Sequence, residues 1–330
     1  MEQTAFRRNL NDPYILDQFI SIFPSRKSLD HLYLLTYADL SAVNPRVWTS
    51  WKADLLFELY DKARILLEEQ ISPEELIQSH HKKLTEKLIE KNNEEMEKHL
   101  HSIDDVNYLK DFSEEEINQH IKEINNDSKV SIIFRENDDY TNVTVITEDF
   151  NSLLSRLCGA FAINDANINN AKIFTREDGI VIDSFHITDF QTHKQLEISK
   201  YDKLKSDISA AVNNELVISR EFKNTRSRWK RLEKRFFWKK DAAKVTFVEH
   251  HKYTIIDISA NDKIGLLYKI TSILNQLELD IFFAKISTQG DKVVDSFYIL
   301  QRDRKKVSNL IKDAIAFEIE TEINKFLEYN

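Results

Sequence analysis

The amino-acid sequence predicts an α+β protein: a helical front half, followed by two copies of a strand-helix-strand-strand-helix-strand unit. Three observations carry this prediction. The hydrophobic period changes from helical to alternating near residue 129. A set of residues then recurs at a nearly fixed offset. Asp149, Leu153-Leu154 and Ala171-Lys172-Ile173 return 113 residues later as Asp262, Leu266-Leu267 and Ala284-Lys285-Ile286. Asp183-Ser184-Phe185 returns after 112 as Asp295-Ser296-Phe297, one residue having been lost in the hairpin. Finally, all four prolines (Pro13, Pro24, Pro45, Pro73) lie in the first quarter, and all four glycines (Gly159, Gly179, Gly265, Gly290) lie beyond residue 158.

Residues 12–70 read as helices. Leu29, Leu32, Tyr33, Leu34 and Leu35 form a dense apolar segment, and a turn follows at Asn44-Pro45. Beyond Trp48 and Trp51, Leu55, Leu56, Leu59, Tyr60, Ala63, Leu66 and Leu67 keep helical spacing. Ser72-Pro73-Glu74-Glu75 has a cap residue, a proline at the first helical position and a glutamate three places on, which together start a helix. Ser113 and Glu116 repeat the pattern before Ile117, Ile121 and Ile124. Residues 71–128 are thus a charged helical connector.

In the first repeat, Val143, Val145 and Thr147 alternate as a strand, and Leu153, Leu154, Leu157 and Phe161 are spaced as a helix. A strand at Ile168–Thr175, a turn at Glu177-Asp178-Gly179 and a strand at Ile180–Thr188 form a hairpin. A helix over Tyr201–Val212 and a short last strand over Glu215–Ser219 complete the unit. The sequence therefore divides into 1–70, 71–128, a first module at 129–222, a basic-aromatic linker at 223–244 and a second module at 245–330.

Composition excludes several function classes. A net charge of -9 opposes binding to nucleic-acid phosphates. The glycines are too scattered for a phosphate-binding loop, in which the backbone must approach the ligand closely. One cysteine, Cys158, cannot form an internal disulfide and points to a reducing compartment. No apolar run has the length of a membrane span, and MEQTAFRRNLNDPYILD is polar where a signal peptide is apolar. The expectation is a cytoplasmic chain with no nucleic-acid or membrane partner.

Asn261-Asp262-Lys263-Ile264-Gly265-Leu266-Leu267-Tyr268-Lys269-Ile270, followed by Leu279-Asp280-Ile281 and Ala284-Lys285-Ile286, resembles an ACT domain. Leu32 to Pro45, then Trp48-Thr49-Ser50-Trp51-Lys52 and Leu55 to Tyr60, is similar to the end of the HD hydrolase domain of the bifunctional PII uridylyltransferase/uridylyl-removing enzymes. That family continues through a helical connector into two tandem ACT domains. The resemblance implies ferredoxin-like βαββαβ modules, a regulatory role in nitrogen metabolism, glutamine as effector, and PII protein as partner.

The resemblance also implies an effector site, at Asp262, Lys263, Gly265, Leu266, Asp280 and Ile281, with Asp149, Asn151 and Asn167 of the first module. In such a site a loop glycine lets backbone N–H groups approach a ligand carboxylate at a helix N-terminus, while the acid meets the ammonium. Phe150-Asn151-Ser152 replaces the usual Arg-Pro-Gly in the first module, so the second is expected to be the better site. Asp262 is weighed equally as a plain helix cap.

The family's catalytic parts have no counterpart in these residues. There is no Gly-Ser pair and no His-Asp doublet, and only Asp39 stands at a metal-ligand position. One carboxylate cannot hold a catalytic dication, so Asp39 is expected to be vestigial, with no cofactor and no catalysis. The alternative function is an interaction module, whose ACT pair dimerises or docks to a separately encoded catalytic chain. His80-His81 and His250-His251 lack metal-site spacing and read as surface residues. The run Arg226-Ser227-Arg228-Trp229-Lys230-Arg231 and Lys234 to Lys240 reads as a connector with packed aromatics rather than a nucleic-acid patch.

Overall fold

The computed structural model describes residues 1–42, 48, 50–89, 94–103, 105, 107–126, 128–233, 241–286, 288–289 and 292–328. The chain forms two compact units, Met1–Asn126 with Arg176–Asp178, and Asp127–Thr175 with Gly179–Asn330. Among the described residues no helix is long and apolar enough to cross a membrane.

The first unit is helical: α1 (Glu2–Arg7), α2 (Pro13–Ile20), α3 (Arg26–Ser41), α4 (Ser50–Glu69), α5 (Pro73–Ile89), α6 (Glu94–His101), α7 (Asn107–Asp111) and α8 (Glu114–Ile124). Leu56, Leu59, Ala63 and Leu66 of α4 are buried with Phe6, Leu16 and Leu29, so the helical spacing marks a real core face. The segment at 29–35 behaves differently. Leu29 is buried, but Leu34 and Leu35 are 63% and 68% exposed. Ser113 makes the expected reciprocal capping box with Glu116, and Ser72 does the same with Glu75. His99 Nε2 and His120 Nδ1 both lie against the Tyr108 hydroxyl, at 2.8 and 2.7 Å, in a buried polar network.

The second unit holds both modules. The first consists of β1 (Val130–Glu136), β2 (Thr141–Glu148), α9 (Leu153–Ile163), β3 (Ala166–Thr175), β4 (Ile180–Asp189) and α10 (Tyr201–Val212). Helix α11 (Ile218–Glu233) leads to the second: β5 (Lys244–Glu249), β6 (Thr254–Asn261), α12 (Leu266–Gln276), β7 (Leu279–Lys285), β8 (Thr288–Gln289), β9 (Lys292–Gln301) and α13 (Asn309–Glu328). The sheets are antiparallel, in the orders β1-β2-β4-β3 and β5-β6-β9-β7, with β8 beside β9.

The expected βαββαβ order is corrected by this topology. The first module runs ββαββα, the second keeps that order with the two-residue β8 added before β9, and in each the strand expected last comes first. Glu215–Ser219 is not a strand. Asn214 turns left-handed at φ 62°, and the N–H groups of Glu215 and Leu216 both donate to the Ala210 carbonyl. Those donors close the end of α10 and are lost to any ladder. Strand β1 already fills the edge of the sheet beside β2.

The internal repeat extends to fine detail. The Thr141 hydroxyl accepts from Leu196 N at 2.9 Å, and its counterpart Thr254 accepts from Val307 N at 3.0 Å. Ladders β3–β4 and β7–β9 slip at equivalent places, between Ile168 and Asn170 and between Ile281 and Phe283. One hydrophobic core runs through both modules, from Val143, Leu157 and Phe185 to Ile258, Ile270 and Phe297. Edge strands β3 and β7 are neighbours but stay in separate sheets.

Candidate effector site

Helices α9 and α12 are packed together and place the candidate residues. Under the 113-residue offset, Ser155 corresponds to Tyr268, Cys158 to Thr271 and Gly159 to Ser272. Ser155 Oγ lies 2.9 Å from Ser272 Oγ, and a Cβ on Gly159 would stand 3.0 Å from the Tyr268 ring. Cys158 meets Thr271, its own counterpart. Each residue thus touches the equivalent of its partner, the signature of a two-fold relation. Burial holds the Cys158 thiol well above its usual range, so it is a packed, unreactive group.

This relation brings the loop before α12 against strand β3 of the first module. A cavity of about 30 Å³ opens between them, lined by Cys158, Ala166, Asn167, Ile168, Asp262, Lys263, Gly265, Leu266, Tyr268 and Asp295. Five of the expected effector residues are therefore together: Asn167 from one module, and Asp262, Lys263, Gly265 and Leu266 from the other. The volume suits one or two waters, so an amino acid requires the loop to move.

The remaining expected residues belong to the opposite end of the relation. Asp149 and Asn151 lie on the surface of the β2–α9 loop, and Asp280 and Ile281 are half-buried on β7. Asp149 is held above the usual carboxylate range, by lost hydration first and then by nearby Asp280, with Arg304 opposing. These four do not line the cavity.

Two roles assigned from sequence change here. The cap position of α12 is Gly265 rather than Asp262. Gly265 has φ +78°, which glycine adopts freely, and a Cβ there would stand 2.3 Å from the Phe222 ring of α11. The glycine thus admits an aromatic ring from the linker as well as freeing the loop. Lys263 Nζ is drawn toward the end of α13, 3.4 Å from the Phe326 carbonyl, 3.5 Å from that of Leu327 and 5.4 Å from the Phe326 ring. Carbonyls at a helix C-terminus favour a cation.

Phe222, Tyr268 and Asp295 were not singled out from sequence. Asp295 carried a usable signal, since it recurs in the repeat as Asp183. Phe222 sits in a highly charged stretch and carried none. Trp229 of the same helix is buried, with its indole Nε1–H donating to Asp165 at 2.6 Å, so this aromatic packs. Lys234 to Lys240 lie outside the described residues.

Asp39 is exposed on α3. Among the described residues it belongs to no cluster of three or more metal-ligating groups. Asp39 therefore has no partners among the described residues with which to hold a divalent metal.

No protein-family model matches the chain. Curated relatives do, and two of them are representative. The chain is 31% identical over 313 residues to the bifunctional uridylyltransferase/uridylyl-removing enzyme of Azospirillum brasilense, a match covering 91% of this chain and 33% of that protein. It is 28% identical over 322 residues to the enzyme of the same name from Erythrobacter litoralis (strain HTCC2594), covering 94% and 34%. The chain spans about a third of the length of these relatives. Over nearly its whole described length, the chain is related to the C-terminal part of the bifunctional uridylyltransferase/uridylyl-removing enzymes.

Proposed function

We propose that this chain is the effector-sensing portion of a uridylyltransferase/uridylyl-removing system, and that its paired modules are ACT domains that bind an amino acid, glutamine first among candidates. The observation that carries this reading is the cavity at the junction of the modules, where Asn167, Asp262, Lys263, Gly265 and Leu266 converge. In this reading Asp262 pairs with an ammonium and N–H groups of the first turn of α12 receive a carboxylate, that of Leu266 being released from the Lys263 carbonyl to which it donates at 2.9 Å. Because α11 rests on Gly265 through Phe222, opening the cavity moves the linker between the modules. In this way ligand binding becomes a mechanical signal. PII protein as partner, operation in the cytoplasm and homodimerisation belong to the same proposal, as does the absence of catalysis by this chain.

Calorimetry tests it. Glutamine should bind with millimolar or tighter affinity, and Asp262→Ala should abolish the heat. Silence with glutamine and with every other amino acid would remove the sensing function. A second reading then gains weight, that of docking to a separately encoded catalytic chain. Its support is the exposed apolar surface of the helical unit, where Leu34, Leu35 and Tyr37 of α3 and Phe57 of α4 are 63%, 68%, 43% and 54% exposed.

A further inference from the structure

We infer that the outer edge of strand β1 is where two copies of this chain pair, β1 against β1, antiparallel about Ile133. The inference specifies the homodimer proposed above and does not depend on effector binding. The Asn137 N–H donates to the Tyr140 carbonyl at 2.9 Å, so in the β1–β2 ladder the odd-numbered residues bond to β2. Ile132 and Phe134 therefore turn their backbone N–H and C=O groups away from β2, toward the edge of the sheet. Strand β5 is the equivalent edge, since Ile132 faces Val145 as Val245 faces Ile258, both at the 113-residue offset. There the outward donors are covered. Val245 N–H donates to the Glu320 carboxylate of α13, and Ala243 N–H to the Asn324 side chain, each at 2.8 Å. Among the described residues no side chain does this for Ile132 or Phe134.

The repeat shows why. Leu196 and Val307 bond to equivalent threonines, which sets the closing helices α10 and α13 at an offset of 111. Leu204 and Ile208 then match Ile315 and Ile319, all of them buried. Ser209 stands where Glu320 does, and its side chain is too short to reach the strand edge. Helix α10 ends at Val212, before any counterpart of Asn324. An edge with open donors and acceptors is a template for another strand. The charges of β1 choose the occupant. Lys129 precedes the strand, Glu136 ends it and Asp138 and Asp139 follow, and all four are exposed. Antiparallel pairing about Ile133 lets Ile132 exchange both backbone bonds with Phe134 of the second copy. It also sets Lys129 opposite Asn137, between Glu136 and Asp138, and Arg135 opposite Ser131, so like charges do not face each other. A strand with a basic start and an acidic end is its own complement under a two-fold axis.

Sedimentation equilibrium of the full chain, read together with amide hydrogen exchange, tests the pairing. Wild type should self-associate, and the amides of Ile132 and Phe134 should gain protection as protein concentration rises. Ser209→Glu rebuilds the cover that Glu320 supplies in the second module, and should weaken the dimer at least about tenfold. Lys129→Glu should weaken it about fivefold, because the two-fold axis counts the charge pair twice. Adding Glu136→Lys to Lys129→Glu should restore most of that loss. Thermal melting checks that each variant folds. Should Ser209→Glu fail to, the charge pair and the wild-type amides carry the test alone. A dimer that leaves these amides unprotected, or that Ser209→Glu and Lys129→Glu both leave unchanged, overturns the assignment and keeps homodimerisation through another surface. A chain that stays monomeric overturns both, and leaves the edge to a strand from another protein. Effector sensing is decided separately, by the calorimetry above.

Discussion

Ser152 and Gly265 occupy the same place at the starts of α9 and α12, with φ of 75° and 78°. For an L-residue this left-handed region costs roughly 1–2 kcal/mol, whereas glycine enters it freely. Ser152 gains nothing in exchange from its side chain, which makes no capping hydrogen bond to α9. Ser152→Gly should therefore stabilise the protein by about 0.5–1 kcal/mol, once the extra freedom of glycine in the unfolded chain is subtracted. The midpoint of urea unfolding would rise at an unchanged slope. The reverse change at the other site, Gly265→Ala, has a second penalty, because the new methyl meets the Phe222 ring. A lower midpoint for Ser152→Gly would mean that the hydroxyl has a role its geometry does not reveal.

At the scale of elements, the repeat made the core legible while its connections stayed hidden. Helix α10 runs over the Tyr201–Val212 that spacing predicts, and the hairpin turns at Gly179. Strand β1 was not separated from its surroundings, and a strand was expected at Glu215–Ser219 instead. Periodicity reports which face of a segment is apolar and says nothing of where its backbone donors go. The donors of Glu215 and Leu216 are taken by the end of α10. Half the candidate site was readable for a similar reason. Asp262, Lys263 and Gly265 adjoin in sequence, but their meeting with Asn167 is a product of packing between α9 and α12. Gly159 shows how tight that packing is, since a Cβ would fall 2.3 Å from Ile218 Cγ2 and 3.0 Å from Tyr268. The Ile218 methyl must move, and Gly159→Ala should cost about 1–3 kcal/mol, typical of overpacking. Thermal melting gives the value. A neutral result would show that α9, α11 and α12 are free to slide.

At the scale of the whole molecule, the two units should answer acid differently. In the helical unit, burial and then Arg176 lower His99 to about 4. A histidine whose folded pKa lies below its unfolded value of about 6.5 is neutral in the native state and takes up its proton on unfolding. Its stabilising contribution is whole above that unfolded value and drains away as pH falls toward 4. Between pH 7 and 5 the loss amounts to about 2 kcal/mol. Glu58, held near 2 by Lys62 and Lys110 against the opposing effect of burial, adds a further loss once pH passes below 4.5. The paired modules contain opposing groups. His186, also lowered to about 4 by burial and then by Lys172, loses stability over the same window as His99. Asp183 runs the other way. Burial, then Asp149, raises its carboxyl well above the usual range, so it holds a proton in the fold that the unfolded chain releases. Its cost to the fold diminishes as pH drops, offsetting His186. Hydrogen exchange at pH 7 and 5, corrected for the intrinsic rate, should therefore show helices α6–α8 losing protection while sheets β1–β4 and β5–β9 retain theirs. His99→Gln should flatten the response of the helical unit alone. Uniform loss across both units, or a helical unit indifferent to pH, would contradict the assignment of His99 as a buried neutral group.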